Sequence, residues 1–311
     1  MKRARGLVIG SHDDVHVRSV LECMTKSLVL VMDVESLSES QFVYKDSLFQ
    51  IETPSGWFEI SGDVINRGWF RRLAPPNWQQ GIQVGSRVAA EKTAWLSLMG
   101  ALSRLPHVEW LTDIDDALIS ENKLRQHAIA KQIGIRTPHT IVSNVASEVI
   151  SELPDDRIIK PLGPGHFIEG EIPHVLYTQA VNESDLFDLR GSPPMLLQER
   201  LEAQAHLRVV VVRNQVWAAS LAGDGLPIDW RSDDAAHYSF EEITTPHDVQ
   251  MGALKINAAL RLGYSSQDWI VTRNGAFLVD VNPSGQWLFL PEKIASAVSH
   301  AIAQWLDASY E

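Results

Sequence analysis

Apolar strand runs and amphipathic helical stretches alternate along the whole 311-residue chain with no long linker between them, which restricts the fold to packed α/β lobes. GLVIG at 6 to 10 reads as a buried first strand. The stretch after it places Val17, Val20, Leu21 and Met24 at i, i+3, i+4, i+7 spacing, so the chain opens β then α. SLVLVMD (27 to 33) predicts a second strand, SLFQIETPSGWFEI a hairpin turning at Pro54 to Gly56, and 86 to 104 a helix. A helix over 115 to 133, ending at Gly134 with Pro138 beyond, leads into the strand TIVS. RIIKPL, VLYTQAV and MLLQERL follow, then LRVVVVRNQVWAASLAG as two strands around Arg213 and Asn214. A helix over 247 to 262 that Gly263 is placed to stop, a hairpin over 268 to 282 and a helix over 291 to 307 complete the pattern. Three lobes sharing clefts are expected, spanning 1–118, 119–195 and 196–311.

With 45% hydrophobic residues the chain can bury a sizeable core in each lobe. A formal net charge of -12 leaves no general polyanion surface, so nucleic acid is not expected as the main partner, although a local basic site for phosphates stays open. One cysteine, Cys23, excludes an internal disulfide and an all-Cys metal cluster and fits a reducing compartment. The first apolar run, LVIG, is too short for a signal peptide or a membrane span, so a cytoplasmic protein with no membrane partner is expected.

The hairpin DWIVTRNGAFLVDVN interrupts an apolar strand with Asp280 and Asn282. A two-residue Asn-Gly turn would pair Asp268 with Val281 and send Asp268 and Asp280 to opposite faces. A three-residue Arg-Asn-Gly loop with Gly275 in the left-handed position would pair Thr272 with Ala276 and set Asp268 directly across from Asp280, with Asn282 on the same face. Both registers are open to the sequence. The second is preferred because it gives three oxygen-bearing side chains a common role. Facing carboxylates about 5 Å apart at Cα repel unless a cation lies between them. Mg²⁺ suits such a site, since it takes carboxylate, amide and water oxygens and shares them with nucleotide phosphates. The alternative is a solvated edge with three unrelated polar residues.

Phosphates would need cations elsewhere. Lys160 stands in the otherwise apolar strand RIIKPL, and GPGHFIEG (163 to 170) follows, so an ammonium and backbone N–H groups can surround a phosphate; a snorkelling lysine beside an ordinary loop is the alternative. Lys123 near the start of a helix is by itself a surface lysine, and Arg208 in HLRVVVV can hold phosphate in bidentate fashion or snorkel. Gln198 and Glu199 lie at a strand end, where backbone groups can read a purine edge.

Taken in order, INRGWFRR (65 to 72), ENKLRQHAIAKQIGIRTPHTIVSN (121 to 144), IIKPLG (158 to 163), YT (177 to 178), LLQERLE (196 to 202), LRVVVVRNQVWAA (207 to 219), DWR (229 to 231) and DWIVTRNGAFLVDVNPSGQW (268 to 287) resemble the ATP-grasp ligases. Within them the chain resembles the graspetide (microviridin-type) maturases of ribosomal peptides, chiefly through the turn ending in Gly285-Gln286-Trp287. The resemblance covers nearly the whole chain. It implies an α/β ATP-grasp fold with an N-terminal pre-ATP-grasp lobe, a central lobe and a C-terminal lobe, and nucleotide between the last two. It further implies ATP contacts from Lys123 and Lys160, adenine read along Gln198, Glu199 and Leu201, phosphate or acyl-phosphate contact from Arg208, and Mg²⁺ on Asp268, Asp280 and Asn282, with 163 to 170 as a lid. Asp280 stands where the family usually has Glu, one methylene longer. His206-Leu207-Arg208 stands where it usually reads Glu-Leu-Arg, and Glu202 is placed to substitute for the missing acid.

The activity implied is an ADP-forming ATP-dependent ligation in which a precursor-peptide carboxylate becomes an acyl phosphate and is captured by a Ser, Thr or Lys side chain, with Lys160 and Arg208 neutralising the transferring group. Asp229 and Arg231 are the substrate-side candidates, one to orient the nucleophile and one to clamp the carboxylate; an internal ion pair is the alternative. Arg71 and Arg72 would face the peptide's acidic side chains, or stand as solvated arginines beside the packed pair Trp69-Phe70. Two other functions share these residues: joining an amino acid to a small molecule or protein terminus, and a degenerate nucleotide-binding partner. A homodimer is compatible with the sequence.

Overall fold

The computed structural model describes residues 2–25, 28–60, 67–75, 77–78, 80–106, 108–163, 165–169 and 172–308, the side chains of His166 and Ile168 excepted. Ser27, Ile65, Asn66 and Pro76, and within the expected lid Pro164 and Gly170, lie outside the described residues.

The N-terminal third runs β1 (Lys2–Arg3), β2 (Gly6–Ile9), α1 (Val15–Glu22), β3 (Val29–Met32), α2 (Val34–Ser38), β4 (Phe42–Lys45), β5 (Leu48–Thr53), β6 (Gly56–Ile60), β7 (Arg67–Phe70), α3 (Arg87–Leu102) and β8 (Glu109–Trp110). It carries two sheets, a parallel one in the order β3-β2-β7-β8 and a second in the order β1-β6-β5-β4. β2 is buried at every residue, as an interior parallel strand covered on both faces must be.

The middle of the chain contains α4 (Ile114–Ser120), α5 (Lys123–Gln132), β9 (Thr140–Ile141), α6 (Ala146–Glu152), β10 (Arg157–Pro161), β11 (His166–Glu169), β12 (Ile172–Val175), β13 (Gln179–Val181), α7 (Glu183–Leu186) and β14 (Met195–Glu199). The single helix expected over 115 to 133 is two, because the Asn122 side chain accepts the Arg125 N–H at 3.0 Å and starts a new helix with Lys123 as its first residue. The glycine-rich loop is instead the start of an antiparallel hairpin, β11 with β12. β10 and β14 form the centre of a sheet ordered β13-β10-β14-β9, so Leu196 to Glu199 pair with the central sheet and the chain leaves it only after Glu199.

The last part comprises β15 (Ala205–Val212), β16 (Gln215–Ala222), α8 (Asp234–His237), β17 (Glu241–Ile243), α9 (His247–Leu260), β18 (Tyr264–Thr272), β19 (Gly275–Asn282) and α10 (Glu292–Asp307), with the antiparallel sheet ordered β17-β16-β15-β18-β19. α9 is stopped not by Gly263 but by Arg261, which takes the left-handed conformation at φ 57°. Gly263 serves close approach instead: a Cβ there would lie 1.6 Å from the Leu111 carbonyl oxygen.

One apolar core is shared by the N-terminal and C-terminal parts, joining Val8, Val17 and Trp69 to Val210, Trp287 and Val298. α5 and α9 close the back of the C-terminal sheet through Ala130, Ile256 and Leu278. The central sheet has its own core, built on Val149, Leu153, Leu186 and Leu197. Among the described residues no helix is long and apolar enough to cross a membrane. Gly263→Ala is expected to destabilise the fold by about 3 kcal/mol, since backbone on both sides resists the added methyl; a thermal unfolding midpoint several degrees below wild type is the measurement.

Candidate active site

Three strands of the C-terminal sheet bring three charged residues into one row. Arg208 on β15 lies opposite Asp268 on β18, which lies opposite Asp280 on β19. The pairing of the two aspartates is the expected one, but the device is different. The turn is the two residues Arg273 and Asn274, and Thr272 pairs with Gly275 rather than Ala276. Gly275 has φ +108°, and the Thr272 hydroxyl accepts the Asn274 N–H and donates to the Gly275 carbonyl, each at 3.1 Å. That register alone would set Asp268 against Val279. The ladder slips between Trp269 and Asp268, leaving Val279 as a bulge and advancing Asp280 by one position.

Arg208 Nη1 donates to Asp268 Oδ1 at 2.7 Å, and its Nη2 to the Gln286 carbonyl at 3.4 Å. Its Nε is buried with no partner among the described residues. Asn282, two residues beyond Asp280, accepts the Ser284 N–H on Oδ1 at 2.9 Å, which orients the amide oxygen. Two facing carboxylates and an amide oxygen fit Mg²⁺ shared with phosphates better than a metal closed in by protein alone. Among the described residues no group of three or more His, Cys, Asp or Glu gathers that could hold a metal.

The facing wall is the central sheet. Ile158 and Lys160 alternate onto the same face of β10 and line one cleft with Asp268 and Asp280. Burial pushes the Lys160 ammonium down to a pKa of about 8; Asp280 and Asp268 pull it up, while Lys123 and Arg231 add to the depression. Lys123 also lines the cleft and donates from Nζ to the Pro161 carbonyl at 3.1 Å. One turn along α5, burial and then these two lysines hold His127 down to about 4, so its ring is neutral.

Asp229 and Arg231 form the internal ion pair. Arg231 Nε and Nη2 donate to the two Asp229 oxygens at 2.7 and 2.6 Å, and the Thr178 N–H reaches Asp229 Oδ2 at 2.9 Å. Burial pushes the Asp229 carboxyl up, but these bonds outweigh it and hold it below the usual range. Both Asp229 oxygens are thus engaged, and the pair lies at the cleft. Arg231 is half exposed at the cleft, within electrostatic reach of Asp268 and Asp280. His206 lines the cleft too, and burial holds it below its ordinary value.

Gln198 pairs with Ile158, so its side chain lies on the cleft side of the central sheet, where it is fully buried against His127 and donates to Thr140 Oγ1 at 2.8 Å. Glu199 accepts the His139 N–H at 2.8 Å. Leu201 and Glu202 follow where the chain has left the sheet, Leu201 half-buried and Glu202 exposed.

Arg71 does not face a peptide. It is 2% exposed, donates from Nε to Asp14 Oδ2 at 3.1 Å and from Nη1 to the Ser284 carbonyl, and so ties the N-terminal part to the turn after β19. Although burial raises it, hydrogen bonds from His16 and the charge of Arg71 hold the Asp14 carboxyl well below the usual range. Arg72 is one-third exposed, 3.7 Å from Asp14. Trp287 is fully buried, its ring 4.5 Å from His16 and its Nε1 donating to Ser299 Oγ at 3.0 Å. Sequence patterns do not single out Asp14, His16, Gln126 or His127. Their roles depend on partners far along the chain, and only Asp14, a helix N-cap, carries a local signal.

No family model and no curated protein matches the chain. Solved structures do. The Chryseobacterium gregarium RiPP-associated ATP-grasp ligase, in complex with ADP and a leader and core peptide, is 22% identical, with a TM-score of 0.83 over 97% of this chain and 96% of that one. Macrocyclase MdnC of Microcystis aeruginosa, bound with precursor peptide MdnA, is 20% identical at a TM-score of 0.77, over 97% of this chain and 98% of that one. The ATP-grasp ligase PsnB, complexed with a phosphomimetic variant of its minimal precursor, Mg and ADP, is 18% identical at 0.74, over 97% of each. The chain has the ATP-grasp fold.

Arg71→Met is expected to cost about 3 kcal/mol, because it leaves Asp14 buried without its partner, whereas Arg72→Met costs less than about 1 kcal/mol. Urea unfolding of the two variants measures the difference; equal and small effects would return Arg71 to the candidate peptide contacts.

Proposed function

We propose that the chain is an ADP-forming, ATP-dependent ligase that links side chains within a ribosomal precursor peptide as esters or amides. The observation that carries this reading is one cleft in which Lys160 of the central sheet faces Asp268 and Asp280 of the C-terminal sheet, with Lys123 reaching in from the start of α5. That is a place for a divalent cation facing a place for phosphates. The likeness to ligases seen with ADP, Mg and precursor peptides supports it, as does the Gly285-Gln286-Trp287 turn. On this reading the three lobes divide near 118 and in the residues after Glu199.

Asp268, Asp280 and Asn282 would hold Mg²⁺, which when bound supplies charge neutralisation at the phosphate oxygens. Lys160 from the opposite wall and Lys123 from the start of α5 bind the phosphates. Ile158, with the segment through Leu201 and Glu202, flanks the base. Arg208, held beside the aspartates by Asp268, neutralises charge on the transferring group, and Arg231, oriented by Asp229, draws in an acidic side chain of the peptide. An oxygen of that carboxylate attacks the γ-phosphorus and the bond to ADP breaks. A Ser or Thr hydroxyl, or a neutral Lys amine, then attacks the acyl carbon, loses its proton and expels phosphate.

Incubation with an acidic precursor peptide, ATP and Mg²⁺ is expected to lower the intact peptide mass by one water per link. Asp280→Asn is expected to abolish that loss while unfolding at the wild-type temperature. A peptide unchanged by the wild-type protein, with ATP present, would overturn the assignment.

Lys160 binds phosphate only when protonated. Nucleotide affinity is therefore full near pH 7 and falls as pH rises through about 8, by up to about tenfold per pH unit until the bound-state pKa is passed. Calorimetric titration should show this slope in the wild type and lose it in Lys160→Met. A wild-type affinity independent of pH would remove Lys160 from the phosphate site.

A further inference from the structure

β19 is the outer strand of its sheet, and its outer edge, tied at Leu278 where the N–H donates to the Arg136 carbonyl at 2.9 Å, runs on beside the proposed metal site. The bulge at Val279 weakens the inner ladder one residue before Asp280. An edge strand with a broken ladder is the loosest place in a sheet, yet it carries two of the three oxygen ligands. At Val281, between Asp280 and Asn282, a single side chain closes the edge. Gln126 of α5, 3% exposed, accepts the Val281 N–H on Oε1 at 3.0 Å and donates from Nε2 to the Val281 carbonyl at 2.7 Å. The same Nε2 donates to the Ser120 carbonyl at 2.8 Å. A carboxamide presents the donor and acceptor of a peptide group, so Gln126 makes the two bonds that a sixth strand would make. α5 is itself seated on the C-terminal sheet through Ala130 and begins with Lys123.

We propose that Gln126 is a positioning residue that holds Asp280 and Asn282 at the height of Asp268 and thereby sets the affinity of the site for its divalent cation. The inference rests on the assignment of those three residues as ligands. Asp280 reaches one methylene less far than a Glu would, so a small displacement of the strand costs it the ion sooner.

The test is ADP binding by calorimetry, in EDTA and across a Mg²⁺ titration, for wild type, Gln126→Met and Gln126→Glu. The Met variant keeps the shape and loses every bond; the Glu variant keeps an acceptor for the Val281 N–H. Half-saturating Mg²⁺ is expected to rise about tenfold in Gln126→Met and less in Gln126→Glu, while affinity in EDTA stays within about twofold of wild type. Should Gln126→Met not fold, the Glu variant carries the comparison. An unchanged Mg²⁺ requirement in the folded variants would overturn the inference, as would parallel losses with and without Mg²⁺. Wild-type ADP binding indifferent to Mg²⁺ would overturn the ligand assignment itself, and the inference with it.

Discussion

Two carboxylates held face to face on neighbouring strands are the constraint that organises the cleft. Like charges directly opposite one another destabilise a sheet, so Asp268 and Asp280 require compensation from outside their own strands. Arg208 supplies it along the sheet, at 2.7 Å from Asp268. Lys160 supplies it from across the cleft, and there each charge supports the other: burial disfavours the ammonium, and the two aspartates restore part of what burial removes. Arg231 adds a third cation, held by Asp229. The cleft is polar because one pair of strands was put in an awkward register.

That register is anchored by the turn beyond β19. The carbonyls of Ser284, Gly285 and Gln286 receive, in sequence, Arg71, the Tyr264 hydroxyl and Arg208. Trp287 then drops into the core between His16, Trp69 and Tyr264. The Gly-Gln-Trp run that marks the resemblance is therefore a joint. It fastens the strand of Asp280 to the first third of the chain, and Arg208 touches both the joint and Asp268.

Strand and helix alternation was legible because burial imposes periods of two and 3.6 on the residues themselves. The facing of Asp268 and Asp280 was legible too, but not its cause, since valine at a bulge looks like valine in a strand. The break at Asn122 is legible only through its cap, an Asn side chain that accepts the Arg125 N–H. The place of Arg71 is not legible, for a more general reason. Its partners Asp14 and Ser284 stand 57 and 213 positions away, and nothing next to an arginine says whether it meets a carboxylate in the core or water outside. Gln126, 155 positions from Val281, was invisible on the same ground. For Asp229 and Arg231 the internal ion pair, open to the sequence as the alternative, is the arrangement found.

The separate core beneath the central sheet has a consequence for how the cleft works as an object. The first and last parts of the chain are welded by shared apolar packing, including Trp69 against Trp287. Polar bonds such as Thr178 to Asp229 and Lys123 to the Pro161 carbonyl cross to the central sheet. Water can replace a hydrogen bond at little net expense, whereas it offers nothing in exchange for exposed apolar area. Parting the walls therefore breaks replaceable bonds and leaves each core intact. The two walls are thus unequal in kind: one is fused to the first third of the chain by apolar packing, and the other keeps a core of its own and meets it through bonds that water can replace.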